Sequence, residues 1–136
     1  MTMKNIIISL TLSLCFFKAF AQNNAGKTTS SNSLTISELL IGKWQALDDK
    51  NNFLVFDKNE RKEIGGGMTS WDSEPYVLSN KCMNEGDKEN GIEPEKDKYI
   101  SCVESDLCWY IISVNKDFLT LSYMGRGNTL KYKRVN

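Results

Sequence analysis

The sequence predicts an all-β domain, an antiparallel up-and-down β-barrel of eight or nine short strands, with a short N-terminal helix closing one end. Three observations lead there. Segments rich in β-branched and aromatic residues recur along the second two thirds of the chain, separated by turn-forming clusters. Most connections are too short for a crossover helix, so neighbouring strands pair antiparallel. Consecutive hairpins leave two exposed edges, which closing the sheet removes. A β-sandwich is the competing arrangement.

The helix comes first. Thr35-Ile36-Ser37-Glu38 places a Thr three residues before a Glu, a capping box. The helix spans Ile36 to Ile41, and Gly42 stands where a C′ glycine would end it. Ile36, Leu39, Leu40 and Ile41 then need an apolar partner surface, which the strands supply. Strands are expected near 43–48, 53–57, 61–64, 68–72, 76–82, 98–103, 107–114, 118–124 and 129–135. The turns between them include Asp48-Asp49-Lys50-Asn51-Asn52, Gly65-Gly66-Gly67, Ser73-Glu74-Pro75, Glu104-Ser105-Asp106 and Gly125-Arg126-Gly127-Asn128. The longest connection, Met83 to Asp97, interleaves six acids with Lys88 and Lys96 and is expected to be a solvated loop.

Ahead of this domain, Lys4, the apolar run Ile6 to Phe17 and Ala19-Phe20-Ala21 have the layout of a cleaved secretory signal, so residues 1–21 are assigned to a signal peptide. The run falls short of the roughly 20 residues of a spanning helix, so no transmembrane segment is expected after cleavage. Residues 22–33, mostly Asn, Ser, Thr, Gly and Lys, form a flexible leader, and 34–136 form the barrel domain. The expected location is the periplasm or the medium. A lipid-anchored form through Cys15 is disfavoured, because lipoprotein signals resemble one another in a small residue before the cysteine and Leu14 stands there.

Cleavage leaves 15 basic and 17 acidic side chains, since Lys4 and Lys18 depart, and this balance argues against nucleic-acid binding. The chain has no histidine, which excludes His-assisted serine or cysteine nucleophiles. Asp48 with Asp49 reads as a solvated turn rather than an acid/base pair. Gly65-Gly66-Gly67 lacks the following helix and Lys of a phosphate loop and reads as a bend or bulge. No enzymatic activity, cofactor or metal is expected, and three mature cysteines match no zinc pattern.

Those cysteines, Cys82, Cys102 and Cys108, allow three pairings outside the cytoplasm. Cys102 with Cys108 would close a very small loop across the Glu104-Ser105-Asp106 turn. Cys82 with Cys108 encloses the acidic segment and contributes about 3 kcal/mol in the chain-entropy picture, so it is the favoured pairing. Cys102 is then a buried, inert thiol, with an intermolecular bond as the alternative.

Gly42-Lys43-Trp44, following a short helix at the start of the first strand, resembles the G-x-W signature of the lipocalin family. At the far end, Leu130-Lys131-Tyr132-Lys133-Arg134 places an arginine late in the last strand, where that family lays a basic side chain across the tryptophan. The resemblance covers Leu34 to Val135 and is to the small lipocalin-like proteins of bacterial envelopes. It implies that Gly42, Trp44 and Arg134 close one end, a contact worth roughly 0.5 to 2 kcal/mol. A core tryptophan unrelated to Arg134 is the plainer alternative.

The aromatic residues are spread over almost every strand and are expected to fill the interior. Phe53, Val55, Tyr76, Trp109, Tyr123 and Tyr132 are the candidates to line a cavity. Two roles follow. One is binding of a small hydrophobic or amphipathic ligand, such as a lipid, through the end opposite Trp44. The other is a filled barrel acting through its surface on an envelope protein partner, as an interaction or inhibitor module. Short strands and tight hairpins imply a smaller cavity than in the ligand carriers of the family.

Overall fold

A computed structural model describes residues 33–89 and 93–136. The expected signal peptide, most of the leader and Cys15 lie outside the described residues. The capping box forms as expected. The Glu38 backbone N–H donates to Thr35 Oγ1 at 3.3 Å, and the Thr35 N–H donates to Glu38 Oε2 at 2.8 Å. The Thr35 N–H, and then the Thr35 hydroxyl at 2.8 Å, hold the Glu38 carboxyl below its ordinary pKa by donating to it, and the box nucleates α1, Ile36–Leu40.

The helix ends differently from the expected glycine cap. Ile41 already has an extended backbone, and Gly42, at φ +133°, opens the first strand. A Cβ on Gly42 would lie 2.3 Å from Arg134 Nη1, so both the close approach and the positive φ call for glycine.

Nine strands follow: β1 Gly42–Ala46, β2 Phe53–Phe56, β3 Glu60–Ile64, β4 Asp72–Pro75, β5 Val77–Ser79, β6 Tyr99–Cys102, β7 Leu107–Val114, β8 Phe118–Tyr123 and β9 Thr129–Val135. They form one antiparallel sheet in the order β4-β3-β2-β1-β9-β8-β7-β6-β5. The chain's first and last strands are neighbours, with Trp44 directly opposite Arg134. The sheet's two outermost strands, β4 and β5, are consecutive and separated only by Tyr76. Residues 72–79 therefore make one bent ribbon whose first half pairs with β3 and whose second half pairs with β6. The result is a nearly closed barrel.

That ribbon corrects the expected boundaries. A strand near 68–72 and a turn at Ser73-Glu74-Pro75 were expected, whereas Ser73, Glu74 and Pro75 belong to β4 and residues 65–71 make the connection. Gly66 and Gly67 both take positive φ, and Met68 N–H donates to the Gly65 carbonyl, so the turn starts there. Pro75 is tolerated because it ends β4 where the ribbon changes partner.

Alternation decides what faces inward. Leu40, Trp44, Ala46, Leu54, Phe56, Ile100, Cys102, Trp109, Ile111, Leu119, Leu121 and Tyr132 form the core. At the helix end, Trp44 is fully buried and its Nε1–H donates to the Leu40 carbonyl at 2.8 Å. The Arg134 guanidinium lies 4.0 Å from the indole centroid. It donates to the carbonyls of Leu39, Ile41 and Lys116, which takes up the orphan acceptors at the end of α1.

Arg134→Leu removes these bonds together with the cation–π contact, and a loss of about 3 kcal/mol is expected. Urea unfolding measures it, and an unchanged midpoint refutes the assigned role.

Candidate functional site

At the end of the barrel away from Trp44, inward side chains of β3, β4, β7, β8 and β9 converge. Arg61 is buried at 5% exposure. It ion-pairs with Glu63 on its own strand, and with Glu74 at 3.4 Å on the neighbouring strand, where the register sets Arg61 opposite Glu74. Its guanidinium lies 4.4 Å from the Trp109 ring centroid. Tyr123, directly across the ladder from Trp109, brings its ring to 5.9 Å. A cavity of about 160 Å³ remains, lined by Arg61, Glu63, Trp109, Tyr123 and Tyr132, together with Leu107, Asn128 and Leu130.

The surroundings keep neutral groups neutral. Burial pushes the Tyr132 hydroxyl well above its usual range, and the Glu63 carboxylate adds to the shift. Burial, then the charge of Glu74, pushes the Cys102 thiol up to about 12.

Three of the six candidate lining residues, Trp109, Tyr123 and Tyr132, thus meet at the mouth. Tyr76 lies elsewhere. It packs edge-on against Phe56 at 5.4 Å and donates to the Asp57 carbonyl at the ribbon junction. Phe53 and Val55 face outward, because Leu54 and Phe56 take the inward positions of β2, and Lys43 Nζ lies 4.8 Å above the Phe53 ring. Gly42, Trp44 and Arg134 sit together at the opposite end.

Sequence reasoning missed Arg61, Glu63 and Glu74. The one available signal was Glu60-Arg61-Lys62-Glu63, where charge at i and i+2 puts Arg61 and Glu63 on one face. Which face looks inward depends on pairing with β2 and β4.

The second feature lies on the outside of the barrel. Cys82 and Cys108 form a disulfide across 26 residues, as the sequence favoured. Cys108 stands opposite Ser101 and Cys102 opposite Leu107, so Cys108 faces outward while Cys102 points into the core and stays free. The bond pins the chain around Cys82 against the outer face of β6 and β7, where Cys82, Cys108 and Tyr99 form a small second core.

Part of this segment departs from the expected solvated loop. Asn84 is fully buried and donates to Asp87 at 2.9 Å, and Gly86 N–H donates to Asp106 at 2.9 Å. Beside it lies a recess of about 330 Å³ lined by Glu93, Glu95, Tyr99, Tyr110, Ser122, Met124 and Gly127. Tyr110 donates to Glu95 Oε2 at 2.6 Å across its edge, and that bond raises the Tyr110 pKa.

Among the described residues, no group of three or more Cys, Asp or Glu is arranged to hold a metal ion, and no helix is long and apolar enough to cross a membrane. No protein-family model matches the chain, and no curated protein or solved structure is significantly similar to it.

Iodoacetamide labelling with peptide mapping should leave Cys102 unmodified in the folded protein and label it after unfolding. Labelling of Cys102 in the native state contradicts its placement in the core. Replacing Cys82 and Cys108 together with Ser should cost about 3 kcal/mol on denaturation.

The Cys102 thiol also sets a pH dependence. It ionises near 9.0 when unfolded and near 12 when folded, so the folded state keeps a proton that the unfolded chain releases. Its stabilising contribution is complete below the first value and declines as pH rises toward the second. The alkaline loss of stability should be shallower in Cys102→Ala, as melting temperatures across that range will report.

Proposed function

We propose that the chain is an exported, lipocalin-like protein whose filled barrel works through its outer surface, as an interaction or inhibitor module for an envelope protein, rather than as a carrier of lipids. The observation that carries this reading is volume. Core side chains occupy the interior and leave about 160 Å³ at the mouth, below the roughly 300 Å³ at which ordinary ligand pockets begin. The outer recess is about twice as large, at 330 Å³, and it combines features of protein-binding surfaces: tyrosine rings, a methionine and a charged rim.

The disulfide supports maturation in an oxidising compartment, in keeping with the signal-like N-terminus. It also supports the surface role, because holding the chain at Cys82 in place before binding lowers the ordering cost of association.

The two readings separate by experiment. Native mass spectrometry after incubation with fatty acids and phospholipids should return the mass of the protein alone, and a retained acyl chain overturns the proposal. A photo-crosslinking residue at Ser122, inside the recess, should give a discrete protein adduct in envelope preparations. The same residue at Lys58 should not. Equal adducts from both positions, or none from Ser122, count against a recess-centred interface.

A further inference from the structure

We propose that the barrel mouth binds a small organic cation, an ammonium head group on a short stem. This goes beyond the surface role and concerns the opposite chemistry: a cavity too small for a lipid that is shaped and charged for something else.

Size sets the first limit. About 160 Å³ admits a head group with a few carbons and excludes an acyl chain or a nucleotide. The walls set the second. Trp109, Tyr123 and Tyr132 bring three aromatic rings to one cavity, and the negative face of such rings attracts a cation within about 6 Å of the centroid.

Charge decides the sign. Two carboxylates, Glu63 and Glu74, surround the single guanidinium of Arg61, so the group carries one excess negative charge.

Arg61 does not offer itself to an anion. Its edges donate to Glu63 and Glu74, and one face lies on Trp109. An arriving carboxylate would meet Glu63 and would have to break an existing ion pair. Glu63, in contrast, lines the cavity with 34% of its side chain exposed, whereas the Glu74 side chain is only 10% exposed. Glu63 is therefore the counter-charge a ligand can reach. The contact of Arg61 with Trp109 already places one cation against an aromatic face at this cavity, which leaves Tyr123 and Tyr132 as the lining rings for a second.

The test compares choline with 3,3-dimethylbutan-1-ol, a neutral molecule of the same shape, on the purified protein. The Trp109 indole N–H resonance and isothermal calorimetry follow binding. Choline should bind saturably in the millimolar range, and the neutral molecule about tenfold or more weakly. Glu63→Gln should weaken choline about tenfold, and its melting temperature reports separately what loss of the Arg61 ion pair costs the fold. Should that variant fail to fold, Tyr123→Leu, which keeps an apolar side chain but removes a ring, should weaken choline to a similar degree. Absence of saturable choline binding overturns the proposal. So does equal affinity for the neutral molecule, or tighter binding of propionate.

Discussion

The pairing of the first strand with the last is the constraint on which the barrel rests. Trp44 and Arg134 are ninety residues apart in sequence and directly opposite in the ladder. Removing a buried tryptophan typically costs about 3–5 kcal/mol, whereas a cation–π contact contributes about 0.5–2 kcal/mol, so packing of the indole outweighs its contact with the guanidinium. Arg134 has a second role in directing the pairing. By donating to carbonyls of α1 and of the β7–β8 turn, it ties helix, first strand, last strand and turn into one unit. Gly42 makes that approach possible, since any Cβ would occupy the position of the guanidinium.

The other seam closes differently. No side-chain lock is needed where β4 and β5 meet, because they are one ribbon that changes partners at Tyr76. Each half hydrogen-bonds to a different neighbour, which leaves little free edge for another chain to pair with. A closed barrel of short strands has an interior that side chains fill, and here a core of twelve buried residues fills it, with a cavity of about 160 Å³ at the mouth. The charged group sits where the core meets solvent. There the guanidinium of Arg61 retains hydrogen bonds to carboxylates and an aromatic face, which offset the cost of its burial.

Strand alternation also explains the cysteines. One residue separates the register position of Cys102 from that opposite Cys108, and one residue is enough to send a side chain to the other face of the sheet. Cys108 thus meets Cys82 on the outside, while Cys102 contributes to the core as a small apolar residue. Hydrogen bonds from Asn84 Nδ2 and the Gly86 N–H to Asp106, in the turn between β6 and β7, then complete what the disulfide begins, fastening an acidic segment to the barrel wall beside the outer recess.

The capping box, the strands from 107 onward, the Cys82–Cys108 pairing and the meeting of Trp44 with Arg134 were legible in the sequence. The first two rest on local signals, the favoured cysteine pairing on loop length, and the meeting of Trp44 with Arg134 on the resemblance to lipocalins together with the closure that an all-hairpin chain requires. Strand β4 was not legible, since Asp72-Ser73-Glu74-Pro75 has the composition of a turn and becomes a strand through pairing with β3, which sets Glu74 opposite Arg61. The mouth was half legible: aromatic residues advertise an interior, but Arg61 and Glu63 look like solvated charges until the register turns them inward. By itself the sequence determined the class of fold and most of its strands and favoured one crosslink among three, because turn chemistry, alternation and loop length are properties of neighbouring residues. Only the tertiary structure decided which face of each strand looks inward, how much space remains there, and that Phe53 and Val55 belong outside. Those outcomes depend on hydrogen-bond register between distant segments, where a shift of one residue reverses every side chain.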